Sequence, residues 1–230
     1  MKKINNFKVY ADENSDTLEL YIYSTVEGDE WFEKLQTSAQ HFREELEKHK
    51  SAKFINLYIN STGGSVFEGS AIYSQLKRHS AKVTVYIDGF ACSIASVIAM
   101  AGDKVVMSEN AVMMIHNAWT VAAGNSAQLR KIADDLDVIN KANKAAYLVK
   151  SDGKITPEKL TEMLDNETYL SAEDCIKYGF CDEISSKVES SVENHAEMLA
   201  YRNSIEKIYA MAEKPEKHDK SEIFKKLFKI

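Results

Sequence analysis

A chain of 230 residues, of which 44% are hydrophobic, is long enough to bury one substantial core, and its formal net charge of −6 argues against non-specific binding to nucleic acid. No apolar run approaches the roughly 20 residues of a membrane span, and the amino terminus lacks the apolar segment of a signal peptide. The three cysteines show no metal-type spacing and fit a reducing compartment. The composition therefore predicts a cytoplasmic protein with no membrane span and no metal or cofactor.

In chain order, apolar segments with the period of a strand alternate with segments that have the period of a helix. Leu18, Leu20 and Ile22 alternate with other side chains, whereas residues 65–79 carry apolar side chains at helical spacing. This succession predicts an α/β fold with mainly parallel strand pairing. The predicted elements are strands at 7–9 and 17–24, a helix at 29–50, a strand at 54–60, a helix at 65–79, a strand at 83–87, a helix at 91–101, strands at 104–107 and 111–115, and helices at 125–150, 156–164 and 171–179.

The segment 83–102 contains the first candidate functional residue. Its first residues predict a buried strand, Asp88 and Gly89 predict a turn, and residues 91–101 predict a helix that is buried on nearly all sides. Ser93 falls where this helix is expected to begin. A serine there is usually an N-cap, but the free N–H groups of a helix start also bind an oxyanion, so Ser93 is also a candidate nucleophile. The nearby alternative is Ser96, one turn further on, whose side chain is expected to pack inside the core.

Three further features supply the groups that a serine nucleophile requires. His116 follows an apolar strand and is either a core histidine or a general base. Gly63 and Gly64 follow a strand and precede a helix, where they form either a simple tight turn or a backbone that approaches a ligand closely. A carboxylate in the acidic segment 165–167 either faces solvent or orients an imidazole.

Four short segments lie at predicted strand ends and helix starts, and their order along the chain is the order of four motifs in a known family. They are 59–66 (Ile-Asn-Ser-Thr-Gly-Gly-Ser-Val), 89–93 (Gly-Phe-Ala-Cys-Ser), 114–116 (Met-Ile-His) and 169–182 (Tyr-Leu-Ser-Ala-Glu-Asp-Cys-Ile-Lys-Tyr-Gly-Phe-Cys-Asp). They resemble the Asn-Ser-Pro-Gly-Gly, Gly-x-Ala-Ala-Ser, Met-Ile-His and Phe-Leu-Ser-Ala-x-Glu-Ala segments of the ClpP family, the proteolytic subunits of Clp serine proteases. The resemblance, which spans residues 18–185, implies a ClpP/crotonase-like spiral of β-β-α units with a protruding long helix at 125–150.

The resemblance also implies roles for individual residues. Ser93 is the nucleophile, and His116 is the general base and then the acid that protonates the leaving amine. The backbone N–H groups of Gly64 and Ile94 form the oxyanion hole.

Three positions depart from the family motifs. Glu167 falls where the family places the triad aspartate, and because its side chain is longer, Asp165 is the alternative triad acid. Thr62 stands where the family loop has proline, and Cys92 stands where the family has alanine beside the nucleophile. These differences bear on the geometry of the site rather than on the identity of Ser93 and His116.

The implied function is that of a serine endopeptidase acting on peptide or protein substrates. The amino terminus does not match the pore-forming segment of ClpP. Together with the segments 85–89 (Val-Tyr-Ile-Asp-Gly), 95–103 (Ala-Ser-Val-Ile-Ala-Met-Ala-Gly-Asp) and 167–172 (Glu-Thr-Tyr-Leu-Ser-Ala), this resembles the phage and prophage branch, whose head maturation proteases process capsid and scaffold proteins in the host cytoplasm. The resemblance implies a ring-shaped homo-oligomer, a hexamer or heptamer in a single or stacked double ring, with the helix at 125–150 between rings. The alternatives are a general ClpP-like subunit that works with an ATPase, and a catalytically weakened assembly protein. A crotonase-type acyl-CoA hydratase is disfavoured because it would use a glutamate rather than a Ser–His pair.

The composition changes towards the carboxy terminus. We expect a protease domain at 1–186 and a charged helical extension over 187–230 that ends in a short amphipathic tail. The tail is either a flexible solvated end or a segment that docks on a partner or a membrane surface. Because the extension lies beyond the family match, its removal is expected to leave the fold intact.

Overall fold

The computed structural model of the chain describes residues 7–11, 16–26 and 39–185. The predicted extension at 187–230 and the first part of the helix predicted at 29–50 lie outside the described residues. Within those three described segments, no helix is both long enough and apolar enough to cross a membrane.

Eight strands in the described part of the chain form one mixed sheet. Its order is β1-β2-β3-β4-β5-β8, with β6 paired to β4 and β7 paired to β6. Among these described strands, the β1–β2 and β6–β7 pairs are antiparallel and the other pairs are parallel, so the predicted α/β architecture is confirmed. The strands are β1 Phe7–Ala11, β2 Thr17–Ile22, β3 Phe54–Ser61, β4 Lys82–Cys92, β5 Lys104–Ser108, β6 Val112–Ile115, β7 Thr168–Leu170 and β8 Glu183–Ser185.

Several of the described helices begin at a residue whose side chain caps the first turn. Ser65, Thr156 and Ser171 each accept a hydrogen bond from the backbone N–H three residues later, which satisfies one free donor of the first turn. Gly179 ends the last of the described helices in a left-handed conformation with φ of 77°. The described helices are α1 Ala39–Lys48, α2 Val66–Arg78, α3 Ile94–Ala99, α4 Ser126–Ser151, α5 Pro157–Asp165 and α6 Ala172–Tyr178.

The turn predicted at Asp88 and Gly89 is wrong, because β4 continues through both residues to Cys92. The reason is a long-range contact. Asn60 of β3 accepts the Phe90 N–H at 3.1 Å, and a Cβ atom at Gly89 would lie only 2.7 Å from the same Asn60 oxygen. Here the β3–β4 register shifts, and β4 exchanges β5 for β6 as its partner. The helix predicted at 91–101 therefore shortens to α3.

Helix α3 lies at the centre of the core, and all six of its residues are buried. Helix α2 approaches it closely at Gly69, where a Cβ atom would lie 2.2 Å from Cγ1 of Ile94. Glycine inside a helix costs roughly 0.5–1 kcal/mol relative to alanine, and here it permits the close packing of α2 on α3. This contact fixes the start of α3 and hence the backbone of Ile94.

The long helix predicted at 125–150 is present as α4, which starts at an Asn125–Gln128 capping box. Its buried residues are Ala146, Tyr147 and Ser151, all in the carboxy-terminal third of the helix. The finer expectations, a spiral of β-β-α units and a helix that protrudes, stay predictions.

Candidate active site

Ser93 occupies the sharp connection between β4 and α3. Its backbone has φ of 55° and ψ of −129°, a combination that costs a non-glycine residue about 1–3 kcal/mol. The Ser93 N–H donates to the Met114 carbonyl at 2.8 Å, which ties this connection to β6. Although Ser93 stands at the N-cap position, its hydroxyl does not cap α3 but faces His116.

His116 lies one residue beyond β6, where the structure brings it to Ser93. Because β6 runs parallel to β4 with Met114 beside Cys92, the two strand ends coincide, and Nε2 of His116 lies 2.7 Å from the Ser93 hydroxyl. The His116 side chain is only 10% exposed. Burial lowers the pKa of His116 and the nearby Glu167 opposes this effect, so the imidazole is neutral near pH 7 and can accept a proton.

The two candidate acids have different surroundings. Oε1 of Glu167 lies 4.0 Å from Nδ1 of His116, beyond hydrogen-bond distance, and the Glu167 side chain is 73% exposed. Glu167 lies in the turn between α5 and β7 with φ of 47°, and this backbone conformation determines the direction in which its long side chain leaves the turn. Asp165 instead accepts a hydrogen bond of 2.7 Å from the Asn117 amide. The structure thus places Glu167, rather than Asp165, beside the imidazole.

Gly63 and Gly64 form a loop directly against Ser93. A Cβ atom at Gly63 would lie 2.7 Å from Cβ of Ser93, and one at Gly64 would lie 2.1 Å from the Val26 carbonyl. Both glycines have positive φ, 93° and 146°. Neither position therefore accepts a side chain, which is why the loop needs two glycines rather than one.

The hydrogen bonds of this loop determine where its free donor points. Val26 donates to the Gly63 carbonyl at 2.8 Å and accepts from the Ser65 N–H at 2.7 Å. In a parallel bridge of this kind the residue between the two bonded groups, here Gly64, directs its own N–H to the opposite side. The Gly64 N–H is thus oriented away from Val26.

Cys92, which stands where the family has alanine beside the nucleophile, lies in an environment that argues against a nucleophilic role. Its side chain is buried, with 6% exposure, and burial raises the pKa of the thiol to about 11. The thiolate is the reactive form of cysteine, so a buried thiol with a raised pKa is a poor nucleophile at neutral pH.

Other polar contacts around the site were not anticipated from the sequence. The Ser96 hydroxyl lies 2.5 Å from the Ser93 carbonyl oxygen and 2.6 Å from the Tyr147 hydroxyl, although Ser96 was expected only to pack. The Asn140 side chain accepts the Ala118 N–H at 2.7 Å, just beyond His116. A serine in an otherwise apolar buried helix was the available signal, since a buried hydroxyl needs a partner.

The arrangement has the parts that nucleophilic acyl transfer requires. A hydroxyl lies within hydrogen-bond distance of a neutral imidazole, and a carboxylate lies on the far side of that ring. The Gly63–Gly64 loop and the start of α3 both adjoin Ser93, and both contain backbone N–H groups. The chemistry that fits these groups is attack on a carbonyl carbon with stabilisation of the resulting oxyanion.

The chain is similar to known proteins of one protease family. A family model described as "Clp protease" matches residues 35–188. A protein of Dehalococcoides mccartyi is 33% identical over 151 residues, which cover 63% of this chain and 72% of that protein. A protein of Deinococcus radiodurans is 30% identical over 141 residues (60% and 68%), and one of Ligilactobacillus salivarius is 33% identical over 142 residues (60% and 71%). All three are named "ATP-dependent Clp protease proteolytic subunit".

Proposed function

The chain belongs to the Clp protease family and is a ClpP-type serine peptidase, and from this premise we propose that Ser93, His116 and Glu167 are its catalytic residues. The observation that carries the proposal is the 2.7 Å contact between the Ser93 hydroxyl and Nε2 of His116. Glu167 is favoured over Asp165 as the acid because its carboxylate is the one beside Nδ1 of His116.

The proposed reaction proceeds through an acyl-enzyme. The Ser93 oxygen attacks the scissile carbonyl carbon while its proton passes to Nε2 of His116. The carbonyl oxygen becomes an oxyanion, which the N–H groups of Gly64 and Ile94 bind; one such donor is worth roughly 10²–10³-fold in kcat. His116 then protonates the leaving amine as the C–N bond breaks. A water molecule attacks the ester with His116 again as base, which releases the acid product and restores the Ser93 hydroxyl.

Glu167 has a supporting part in this scheme. When His116 accepts the proton it becomes an imidazolium, and a carboxylate 4.0 Å from Nδ1 stabilises that positive charge. Catalytic contacts are often longer in the free enzyme than in its substrate complex. The exposed Glu167 side chain has room to shorten the contact when substrate binds.

We also propose an assembly. The chain forms a hexameric or heptameric ring, single or stacked, of subunits with the ClpP/crotonase-like spiral fold, and α4 protrudes to contact a second ring. Support comes from large apolar side chains that are exposed in and before α4. These are Trp119 (72% exposed), Val121 (88%), Leu129 (43%) and Val138 (70%). Exposed apolar side chains in such number are typical of a surface that another subunit covers.

Two partners are compatible with this assembly. The names of the relatives favour a subunit that works with an ATPase on protein substrates, which is the better supported of the two. The narrower role of a phage head maturation protease, acting on capsid or scaffold proteins, rests on the sequence resemblance alone and stays a prediction. Co-expression of the chain with a capsid or scaffold precursor, or with a Clp-type ATPase and a folded substrate, followed by analysis of cleavage products, distinguishes these roles.

A fluorophosphonate probe tests the proposed catalytic residues. We expect the probe to label Ser93 in the wild-type protein, no labelling in Ser93→Ala, and slower labelling in His116→Ala. His79→Ala, at the end of α2, serves as the matched control and should label like wild type. A folded, assembled wild-type protein that takes up no probe would contradict the proposal and favour a catalytically weakened assembly protein.

A further inference from the structure

Two buried hydroxyl groups connect the long helix α4 to the nucleophile. The Tyr147 side chain on α4 is 1% exposed, and the Ser96 side chain in α3 is fully buried. The Tyr147 and Ser96 oxygens lie 2.6 Å apart, and the Ser96 oxygen lies 2.5 Å from the backbone carbonyl oxygen of Ser93. Residues 51 positions apart in the chain therefore meet directly behind the proposed nucleophile.

The direction of these hydrogen bonds follows from the number of available protons. A backbone carbonyl oxygen only accepts, so the single hydroxyl proton of Ser96 is donated to Ser93. Ser96 must then accept from Tyr147, whose phenol is the donor. Burial raises the pKa of the Tyr147 phenol, which keeps it protonated and able to donate at any pH at which the protein works.

The Ser93 carbonyl that receives these bonds belongs to the same peptide unit as the Ile94 N–H. A trans peptide unit is planar, and its C=O and N–H groups point in opposite directions, so the orientation of one determines that of the other. The Ser96 N–H also donates to this carbonyl, at 3.0 Å. Two donors on the carbonyl thus restrict rotation of the unit, and they polarise it so that the Ile94 N–H becomes a stronger donor.

We propose that Tyr147 and Ser96 are positioning residues that orient and polarise the Ile94 N–H toward the oxyanion of the reaction. This inference rests on the proposed function, in which Ile94 supplies one oxyanion donor. It explains why two hydroxyl groups occupy a site where phenylalanine and alanine would fill similar space. A buried hydroxyl costs stability unless it is hydrogen-bonded. Here the Tyr147 hydroxyl donates to Ser96, and the Ser96 hydroxyl in turn donates to the Ser93 carbonyl.

A positioning role and a packing role predict different kinetics. The oxyanion exists in the transition state and not in the bound substrate, so an orienting contact acts on kcat and leaves KM unchanged. The phenylalanine of Tyr147→Phe keeps the ring that packs 5.4 Å from the Phe180 ring and removes only the hydroxyl. Tyr178→Phe is the matched control, because its ring lies 6.3 Å from the same Phe180 ring but outside the hydroxyl chain.

The experiment uses the full-length chain, with Tyr147→Phe, Ser96→Ala and the double variant compared with wild type and Tyr178→Phe. Measurements are kcat and KM on a fluorogenic peptide, the affinity for a peptide boronate that forms a tetrahedral adduct with the nucleophile, and the affinity for an unreactive peptide amide. For Tyr147→Phe we expect kcat and boronate affinity to fall about 3- to 30-fold, the range for one lost buried hydrogen bond, with KM and amide affinity within about two-fold of wild type. Ser96→Ala should lose at least as much, and Tyr147→Phe should have no further effect in the Ser96→Ala background.

Each opposite result overturns the inference. If the fluorophosphonate probe labels wild-type Ser93 but Tyr147→Phe and Ser96→Ala both keep wild-type kcat, the positioning role is wrong while the proposed function stands. If boronate and amide affinities fall together, or KM rises at constant kcat, the two residues act through packing alone. If Tyr147→Phe does not fold, Ser96→Ala tests the inference. A fall in its boronate affinity without a fall in its amide affinity supports positioning, and a parallel fall in both supports packing alone. A wild-type protein without probe labelling refutes the proposed function itself.

Discussion

Replacement of Glu167 is expected to weaken catalysis moderately, because the carboxylate is close to His116 but exposed to solvent. Opposite unit charges separated by 4.0 Å attract by about 1 kcal/mol in water and about 4 kcal/mol at an effective dielectric constant of 20. The Glu167 side chain is 73% exposed, so the value near that for water applies, about 1–2 kcal/mol. Since about 1.4 kcal/mol corresponds to ten-fold in rate, Glu167→Gln should lower kcat roughly 5- to 30-fold.

The assay compares this variant with a matched change at the alternative acid. Asp165→Asn removes a charge that is hydrogen-bonded to Asn117 rather than placed beside the imidazole, so kcat should change by less than about three-fold. Rates are measured on a fluorogenic peptide at low and high salt. Because salt screens exposed charges, the difference between wild type and Glu167→Gln should shrink as ionic strength rises.

Two results would refute this reasoning. A larger loss in Asp165→Asn than in Glu167→Gln would assign the triad acid to Asp165. A loss on the order of 10⁴-fold in Glu167→Gln, the size seen when a buried triad aspartate is neutralised, would mean that Glu167 becomes buried against His116 in the working enzyme.

Three further predictions test the base, the loop and the extension. The rate should fall at acid pH as His116 is protonated, with a midpoint below the usual imidazole pKa of about 6.5. Because Glu167 raises the pKa of His116, Glu167→Gln should move that midpoint to still lower pH. A shift of the midpoint to higher pH in kcat/KM profiles would contradict the assignment of His116 as the base. Gly64→Ala should lower kcat by about 100-fold or more, because the new Cβ would lie 2.1 Å from the Val26 carbonyl and the resulting shift of the loop would displace an oxyanion donor. Wild-type kcat in a folded Gly64→Ala variant would exclude Gly64 from the oxyanion hole. Removal of residues 187–230 should change the melting temperature by only a few degrees, and a truncated chain without a cooperative thermal transition would show that the extension belongs to the core.

Local chemistry made several features predictable from the sequence. The caps at Thr156 and Ser171 each join a side chain to an N–H three residues later, so both partners are close together in the sequence. The α/β alternation depends on hydrophobic period, which is also local. Ser93 could be named as a candidate because it falls near a predicted helix start, and His116 because it follows an apolar strand.

The prediction at Asp88 and Gly89 failed for the opposite reason. An Asp-Gly pair after an apolar run is a turn signal when only neighbours in the chain are considered. In the fold, Asn60 supplies the hydrogen bond that keeps β4 extended through these residues, and Asn60 is 30 positions from Phe90, whose N–H it accepts. The glycine is needed for the close approach of Asn60 rather than for a turn.

Local propensity and motif order were enough to predict the class of fold, the starts of α2, α4, α5 and α6 and the residue types available for acyl transfer. Which of those residues come into contact depends on long-range packing. The contact between Ser93 and His116 requires β4 to leave β5 and pair with β6 in one register, so that both strands end together. The placement of Glu167 rather than Asp165 beside the ring, and of Tyr147 behind the Ser93 carbonyl, likewise depends on how α4 and the turn after α5 pack against that sheet. Such contacts join residues tens of positions apart, and no local pattern specifies the packing that brings them within hydrogen-bond distance.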